Sequence, residues 1–434
     1  MGMWVGTDRR GRTGVRHTTS TARRAVDVIV PMLKRIATGV WRRIRGTHRA
    51  PTARELFRSG RALERSGRHA AAVDAYRTAI DLDATHPNWH YRLGRTLERT
   101  RAWADAAAAY GRAIALDDTT TAWRQRHAAA LRRAHDREGL RVAVDAMLAR
   151  EPDMPEPERR LLADDPRRFD VRRQIMRFVI AQLDEIHEIA ATPLEASPQA
   201  ADRIWVYWAQ GIHHAPPVVQ LCHAELRRVH ADHQVVVLDQ STAEHHSDLP
   251  GYVHDRTRDD PTKYSDVLRL DLLARHGGVW LDATCLPRRG LIERLPELVV
   301  SGVFAPRFRQ ARIASWLLAA TPGDPTMTTL RAAQLVYWRH HDAPIDYFVL
   351  HHLFESLFLV DPAVRSAVDA MPKVSAHPPS KLARAMFDPY DPDRFRRLFN
   401  AALVHKLSHK TPPGRDLRGT MLAHLLEHGV PKTA

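Results

Sequence analysis

The sequence has few cysteines and no long apolar run. Only two cysteines, Cys222 and Cys285, occur among 434 residues, and their separation matches no metal-binding or redox spacing. Such sparse cysteine use predicts a reducing, cytoplasmic location and no disulfide framework. No stretch approaches the roughly eighteen consecutive apolar residues typical of a membrane-spanning helix, so we predict no transmembrane segment.

Several familiar active-site signatures are also missing. The chain contains no G-x-x-x-x-G-K-S/T, G-x-G-x-x-G, G-x-S-x-G or H-E-x-x-H pattern. These absences argue against a P-loop, a dinucleotide fingerprint, a nucleophile elbow and a helical zinc protease site. The paired histidines are adjacent in sequence, as in His351 and His352, and neighbours do not share one helix face. We therefore do not expect a dedicated zinc site.

Positive charge is concentrated at the amino terminus. The chain carries a net charge of +15, and residues 1–50 account for about +10 of it, with twelve Arg or Lys against two Asp. The segment Thr21 to Arg45 alternates apolar residues with arginines and is interrupted by Pro31. Peripheral contact with an anionic membrane, a tail or helix packed on the next domain, and nucleic-acid binding are the alternatives. Few aromatics accompany the arginines and no recognisable module is present, so no nucleic-acid partner is expected.

A sequence repeat follows the basic tail. Gly60 and Tyr76 recur as Gly94 and Tyr110, both at an offset of 34 residues. Further matches at the same offset are Leu63 with Leu97, Ala72 with Ala106, Ala79 with Ala113, Ile80 with Ile114, Leu82 with Leu116, and Trp89 with Trp123. This period and these residues resemble the tetratricopeptide repeat, a helix–turn–helix unit. Such a unit buries its apolar face only against its neighbours, so a third should run from Thr121 to about Arg150. The resemblance implies protein partners, although a merely structural role is also open.

The remainder alternates strand and helix patterns. Predicted strands are Ile204–Trp208, Gln234–Leu238, Val279–Leu281 and Val300–Phe304; predicted helices are Val218–Val229, Tyr264–Arg275 and Thr326–His340. Such alternation favours an α/β domain with a mostly parallel sheet. We therefore expect a basic, partly disordered tail with an amphipathic helix (1–50), a tetratricopeptide-repeat domain (51–150), a helical linker (151–200), the α/β domain (201–411) and a carboxyl-terminal tail (412–434).

The run from Lys263 to Leu286 concentrates polar residues at one predicted sheet edge. Asp266 and Arg269 are three residues apart and share a helix face. A glycine pair at 277–278 ends that helix, and a short apolar strand follows. Asp282 and Thr284 come directly after the strand, at the edge where open α/β sheets bind ligands. A carboxylate, a guanidinium and further oxygens at one edge favour a phosphorylated ligand and a metal ion.

Ser265-Asp266-x-x-Arg269 followed by residues 277–284 resembles the core of glycosyltransferases with a DXD-type motif. It looks most like the capsular polysaccharide synthesis protein family. Shorter matching pieces occur in the same order at residues 208–211, 315–320, 346–348, 351–354 and 404–410. The resemblance covers about half of the chain and implies a Rossmann-like GT-A domain that binds a nucleotide sugar.

The resemblance also implies roles for individual residues. Asp282 would contact a divalent cation, Mn²⁺ or Mg²⁺, or the ribose, while Asp266 and Arg269 would hold the donor sugar and ribose. Trp208 and Gln210 would bind the base, with a core position as the alternative for Trp208. The remaining implied roles are a diphosphate contact for His405 and Lys406, with a structural role for His405 left open, and acceptor positioning or helix capping for Asp346.

One position departs from the family pattern. Thr284 stands where the second carboxylate of the DXD motif is usual. A hydroxyl is a weaker ligand than a carboxylate, so the ion would be held by Asp282, Thr284 and His405, or bound weakly, or not bound.

The resemblance leads to one expected activity: transfer of a hexose from a nucleotide sugar to a capsular or surface polysaccharide or a lipid-linked acceptor, with retention of configuration. We expect the protein in the cytoplasm. Peripheral contact, if the basic tail makes it, would be with the inner face of the cell membrane. The alternative is a non-catalytic tetratricopeptide scaffold with a degenerate transferase domain.

Overall fold

A computed structural model describes residues 50–166, 168–194, 203–309, 311–412 and 414–430. The predicted amphipathic segment of the basic tail lies outside these described residues. The chain divides after Thr120 into two compact units. None of the helices in the described ranges is both long enough and apolar enough to cross a bilayer.

The described part of the first unit, residues 50–120, consists of two helical hairpins. Its helices are α1 (Ala53–Arg65), α2 (His69–Leu82), α3 (Pro87–Arg99) and α4 (Trp103–Leu116). Helix α1 begins with a capping box, in which Thr52 and Glu55 each accept a hydrogen bond from the other's backbone N–H. Helix α3 begins at Pro87, where a missing N–H costs nothing.

Each hairpin is closed by a glycine and a tyrosine. A Cβ atom on Gly60 would lie 2.6 Å from the ring of Tyr76, and one on Gly94 would lie 2.7 Å from the ring of Tyr110. Both tyrosine side chains are fully buried. The repeated residues therefore occupy equivalent positions in two helix–turn–helix units, as the 34-residue period predicts.

Helices form most of the second unit. They are α5 (Thr121–Arg133), α6 (Arg137–Leu148), α7 (Glu156–Asp164), α8 (Phe169–Ala181), α9 (Leu183–Ala191), α10 (Pro217–Val229), α11 (Gly251–Thr257), α12 (Pro261–His276), α13 (Leu295–Leu298), α14 (Pro325–His340), α15 (Val349–Val360), α16 (Pro362–Ala370), α17 (Lys381–Ala385), α18 (Pro392–Phe399) and α19 (Met421–His428). Helices α5 and α6 pair as a hairpin over the predicted third repeat.

The described part of the predicted linker (151–200), residues 151–166 and 168–194, carries helices α7, α8 and α9 and packs against the following domain. Arg172 of α8 and Glu355 of α15 form a bidentate ion pair, with Nε–Oε2 and Nη2–Oε1 distances of 2.7 and 2.6 Å. Both side chains are almost completely buried. Phe169 and Met176 of α8 share an apolar cluster with residues of α6 and α7. These residues are thus a structural layer of the second unit.

The strands in the described residues of the second unit form one sheet and two ribbons. They are β1 (Arg203–Tyr207), β2 (Gln234–Leu238), β3 (Gly278–Leu281), β4 (Cys285–Pro287), β5 (Val303–Phe304), β6 (Arg307–Arg309), β7 (Arg312–Ile313), β8 (Leu317–Ala320) and β9 (Val404–Lys406). The sheet order is β2-β1-β3-β8-β5, while β4 pairs with β9 and β6 with β7.

The five-stranded sheet is mixed. Strand β1 runs parallel to β2 and β3, but β8 runs antiparallel to both β3 and β5. Strand β5 therefore runs in the same direction as β1, β2 and β3, and β8 is the one reversed strand of this sheet. The expected, mostly parallel sheet is thus a mixed one. Strand β8 has the sequence Leu-Leu-Ala-Ala and is buried throughout, as β3 is. A strand buried on both faces shows no alternation, so its composition does not reveal its direction.

Helix α12 is buried on nearly every side. Its polar residues are paired inside the protein: Asp271, with no exposed surface, accepts a 2.6 Å hydrogen bond from Nε of Arg331. Gly277 ends the helix with φ of +68°, and a Cβ atom there would lie 2.6 Å from Pro322. Glycine is therefore required for the chain to turn directly from α12 into β3. This turn fixes the distance between Arg269 and the carboxyl end of β3.

Candidate active site

Asp282 lies in a tight turn between the sheet and the β4–β9 ribbon. Its backbone N–H donates to Trp316 at 2.9 Å, and its carbonyl accepts from Cys285 at 2.8 Å. The indole Nε1 of Trp280 donates to Asp282 Oδ1 at 3.0 Å. The carboxylate is therefore fixed in direction, and about a quarter of the side chain remains exposed.

Arg269 connects the helix to the strand end. Its Nη1 donates to Asp282 Oδ1 at 3.2 Å and to the carbonyl of Ser315 at 2.7 Å. Its Nη2 lies 3.0 Å from Asp266 Oδ1, and its Nε donates to the carbonyl of Ser265 at 2.9 Å. The guanidinium also covers the ring of Trp280, 4.9 Å from its centroid. Arg269 is thus a buried, fully engaged bridge between two carboxylates.

Asp266 is the more buried of the two carboxylates. Burial raises the pKa of Asp266 above its ordinary value, although the positive charges of Arg269 and Lys263 oppose that rise. Lys263 Nζ lies 3.9 Å from Asp266 Oδ2 and donates to the carbonyl of Tyr347. Asp266 and Arg269 are in direct contact, as the sequence predicts for two residues that share one helix face.

Lys406 reaches the same site from the ribbon. In the antiparallel register it pairs with Cys285, and the Leu407 N–H donates to the Thr284 carbonyl at 2.9 Å. Lys406 Nζ lies 3.1 Å from Asp282 Oδ2 and also donates to Thr284 Oγ1. Burial raises the pKa of Asp282, but the nearby charges of Lys406 and Arg269 outweigh it and hold that pKa below its ordinary value. Asp282 is therefore ionised and neutralised from two sides.

His405 does not join this cluster. Successive strand residues point to opposite faces, so His405 follows its partner Leu286 into a second apolar cluster. Its Nε2 lies 2.8 Å from the carbonyl of Phe399, on whose ring the imidazole stacks at 5.1 Å. Burial lowers the pKa of His405 to about 4. These contacts correspond to the structural role that the sequence left open.

The predicted metal ligands are therefore not gathered around one point. Asp282 and Thr284 both bind the Lys406 ammonium, and His405 lies on the other face of β9. No group of three or more His, Cys, Asp or Glu within the described ranges is arranged to hold a metal ion. The expected Mn²⁺ or Mg²⁺ does not fit the donor set as it is arranged, because a cationic side chain already fills the position between its oxygens.

Trp208 and Gln210 follow β1, the parallel neighbour of β3. The Trp208 N–H donates to the Leu238 carbonyl of β2 at 2.9 Å, which fixes the chain at this sheet edge. The indole is half-buried and meets His409 edge to face at 5.3 Å, while Gln210 is exposed. Parallel strands end at the same edge, so both residues follow the sheet on the side that carries Asp282.

Asp346 lies three residues before the start of α15. It accepts from the Phe348 N–H at 2.8 Å and from Arg168 Nη1 at 2.5 Å. The Nε2 atom of His352 lies 3.4 Å from Oδ1 of the same Asp346 carboxylate. The contact with Phe348 forms a turn, but the helix begins at Val349 rather than Tyr347 and has no side-chain cap, so the expected capping role of Asp346 was wrong. Its ion pair with Arg168 was not foreseen.

Four further residues complete the site and were missing from the predicted set. Lys263 Nζ lies 4.5 Å from the centroid of the Tyr347 ring, which is 61% exposed. His351 Nε2 lies 3.3 Å from Ser315 Oγ, and burial lowers the pKa of His351 to about 3. Ser315 and His351 lie in two of the short segments that resemble the family, 315–320 and 351–354. Their contact with each other, however, depends on how α15 packs. Lys263 could have been noticed three residues before Asp266.

Comparison with known proteins identifies the family of the second unit. The model of the capsular polysaccharide synthesis protein family matches residues 162–425, more than half of the chain. The chain belongs to this family. The match includes the cluster built by Asp266, Arg269, Asp282 and Lys406, and it extends upstream through helices α8 and α9.

Individual relatives are more distant than the family match. O-glycosyltransferase braB of Annulohypoxylon truncatum is 33% identical over 109 residues, covering 22% of this chain and 26% of that protein. The chain thus spans about a quarter of the length of this curated relative. A solved structure described as the first TPR of Spaghetti (RPAP3) bound to HSP90 peptide SRMEEVD covers 24% of this chain and 85% of that chain. It is 24% identical with a TM-score of 0.21, too low a score to support an argument about fold.

Proposed function

We propose that this member of the capsular polysaccharide synthesis family is a glycosyltransferase of GT-A type. It moves a hexose from a nucleotide sugar to a capsular or surface polysaccharide or a lipid-linked acceptor. The observation that supports this proposal most strongly is the contact of Arg269 and Lys406 with one carboxylate, Asp282, at the carboxyl end of β3. Cations fixed at such an edge suit a phosphorylated ligand.

The chemistry of the transfer requires such cations. The bond between the anomeric carbon and the diphosphate oxygen breaks, and its electron pair leaves with the diphosphate. An acceptor hydroxyl forms the new glycosidic bond and gives its proton to the leaving diphosphate. Negative charge therefore grows on the leaving diphosphate, and preorganised cations stabilise it without reorganising at the moment of reaction. Lys406, with 28% of its side chain exposed, is partly accessible for that contact.

The donor is assigned to residues around this edge. Asp266 and Arg269 hold the donor sugar and ribose, while Trp208 and Gln210 contact the base. Asp282 orients Arg269 and Lys406 and binds the ribose. The exposed ring of Tyr347 beside Lys263 offers an apolar face to a sugar. Asp346, which precedes Tyr347 in the sequence, positions the acceptor. Hydrogen bonds from the Phe348 N–H and from Arg168 hold its carboxylate in place.

The remaining proposals concern location and stereochemistry. The basic tail places the enzyme at the cytoplasmic face of a membrane near its acceptor, and the two hairpins of the first unit bind protein partners. Retention of configuration is proposed by analogy with the family. Liposome and DNA binding, measured with and without residues 1–45, test the tail; the product's anomeric proton signal tests retention.

The activity is tested with the purified chain and a panel of nucleotide sugars, with and without Mn²⁺. We expect hydrolysis or transfer with at least one donor, and loss of turnover in Asp282→Ala without loss of folding. If no donor is bound and none is turned over in either condition, the proposed activity is rejected.

A non-catalytic scaffold is a second candidate, favoured by Thr284 at the position of the second DXD carboxylate. In that case the transferase-like unit supports partners bound by the repeats. Asp282→Ala separates the two candidates in cells: a scaffold keeps polysaccharide production unchanged when the variant is normally folded, whereas an enzyme loses it.

A further inference from the structure

We propose that the Lys406 ammonium takes the place of a divalent cation, so that this chain binds and releases a nucleoside diphosphate without a metal ion. The inference rests on the proposed transferase function and concerns the same site. It starts from the disagreement between the expected metal ligands and the arrangement of their side chains.

The lysine lies between the oxygens that a metal would use. Its Nζ is 3.1 Å from Asp282 Oδ2 and donates to Thr284 Oγ1. Mg²⁺ binds oxygens at about 2.0–2.1 Å in a nearly octahedral shell. An ion held by these two oxygens would therefore compete with the ammonium for the same space and would meet its positive charge.

The other oxygen of the carboxylate is also engaged. Asp282 Oδ1 accepts from Arg269 Nη1 at 3.2 Å and from Trp280 Nε1 at 3.0 Å. Two cations thus share one carboxylate, which leaves it little attraction for a third. Threonine at position 284 suits this arrangement, because its hydroxyl accepts from an ammonium without adding negative charge.

The backbone holds the lysine in this position. Lys406 belongs to β9, whose pairing with β4 fixes it opposite Cys285. The next residue continues the connection, since the Leu407 N–H donates to the Thr284 carbonyl at 2.9 Å. Because the ammonium is already held in place, little conformational entropy is lost in positioning it when the ligand binds.

The charge of the cluster suits an anionic ligand. Lys263, Arg269 and Lys406 face Asp266 and Asp282, which leaves a net charge of +1. His351, which contacts Ser315 beside this cluster, has a pKa lowered by burial to about 3 and adds no charge near neutral pH. A nucleoside diphosphate supplies the negative charge that the cluster lacks, and a divalent cation does not.

The first experiment measures binding by calorimetry. UDP, GDP, ADP, CDP and dTDP are titrated into the full chain in EDTA and, separately, in Mn²⁺. We expect at least one nucleotide to bind with dissociation constants in the two buffers that agree within about twofold. A nucleotide that binds only in Mn²⁺ overturns the inference. So does Mn²⁺ alone binding to the wild-type chain with an affinity that Asp282→Asn abolishes.

Variants of the lysine give the second readout. Lys406→Gln should weaken nucleotide binding by about tenfold or more in EDTA, whereas Lys406→Arg should retain most of it. Lys381→Gln, which removes an equal charge from an exposed position at the start of α17, should leave binding unchanged. Lys406→Gln should also restore part of the binding when Mn²⁺ is added, because Asp282 and Thr284 are then open to the ion. Unweakened binding by folded Lys406→Gln would contradict the inference.

The outcomes separate this inference from the proposed function. Nucleotide binding or transfer that depends strictly on metal rejects only the metal-independent mechanism. Absence of nucleotide binding and turnover in both buffers rejects the transferase and, with it, the role of Lys406. If Lys406→Gln does not fold, as judged by its melting temperature, the wild-type Mn²⁺ titration still decides.

Discussion

Replacing Arg269 by methionine should destabilise the second unit in a pH-dependent manner. The guanidinium binds Asp266 at 3.0 Å and Asp282 at 3.2 Å, and only 4% of its side chain is exposed. Methionine preserves much of the apolar stem but leaves Asp266 with Lys263 alone, 3.9 Å away. Breaking a buried ion pair by removing one partner costs about 3–5 kcal/mol. At about 1.5 °C per kcal/mol for a unit of this size, the melting temperature should fall by roughly 4–8 °C near pH 7.

The sign of the pH dependence follows from Asp266. Burial holds its folded pKa above the ordinary value even with Arg269 present. The folded chain therefore keeps the proton more tightly than the unfolded chain, and stability falls as pH rises through the window between the two pKa values. Arg269→Met raises the folded pKa further and widens this window. The loss of melting temperature should consequently be smaller near pH 5 than near pH 7.

Arg365→Met is the matched control. Its guanidinium donates to the carbonyls of Phe358 and Leu359, and no carboxylate pairs with it within the described part of the chain. We expect a loss of about 1–2 kcal/mol that is equal at the two pH values. Differential scanning fluorimetry at both pH values, for both variants, is the assay. A loss of less than 2 °C for Arg269→Met, or an equal loss at both pH values, would refute the reasoning.

Three further predictions test separate parts of the chain. Trp208→Ala should weaken nucleotide binding by about 5- to 150-fold, the equivalent of about 1–3 kcal/mol for a lost base-stacking platform, and calorimetry with an unchanged dissociation constant would assign the indole to packing. Gly60→Ala should lower the stability of the first unit by about 1–3 kcal/mol, because its Cβ would overlap the Tyr76 ring. Limited proteolysis of the full chain should then show faster cleavage within residues 53–82. Unchanged cleavage would contradict the packing argument. Burial raises the pKa of Cys222 to about 12 and that of Cys285 well above the usual range. Neither thiol should therefore react with iodoacetamide at about pH 8 until urea is added. Rapid labelling of the native protein would show that these buried sites open to solvent.

Much of the second unit was predictable from local patterns. The run Gln234–Leu238 is observed as predicted, and the strand before Asp282 differs by one residue at its start. Glycine at position 277 has the positive φ that a helix stop suggested. These features depend on residues close together in sequence, since a strand pattern or a glycine turn is set by local backbone preferences and apolar spacing.

The direction and partners of β8 were not predictable in the same way. Its four residues are all buried, so nothing in Leu317–Ala320 distinguishes an antiparallel central strand from a parallel one. The β4–β9 ribbon joins residues more than a hundred positions apart, and its register decides which side of β9 meets Asp282. A one-residue change in that register would exchange the faces of His405 and Lys406.

The sequence by itself determined which charged residues lie near one another along the chain: Asp266 and Arg269 share one helix face, and Asp282 ends the strand that follows. Tertiary structure decided which charged side chains contact one another. Strand pairing brings Lys406, rather than His405, onto Asp282 and Thr284, and so replaces an expected metal ligand with a cation. The physical reason is that charge compensation depends on distances between side chains, and those distances are set by packing between elements that are far apart in the chain.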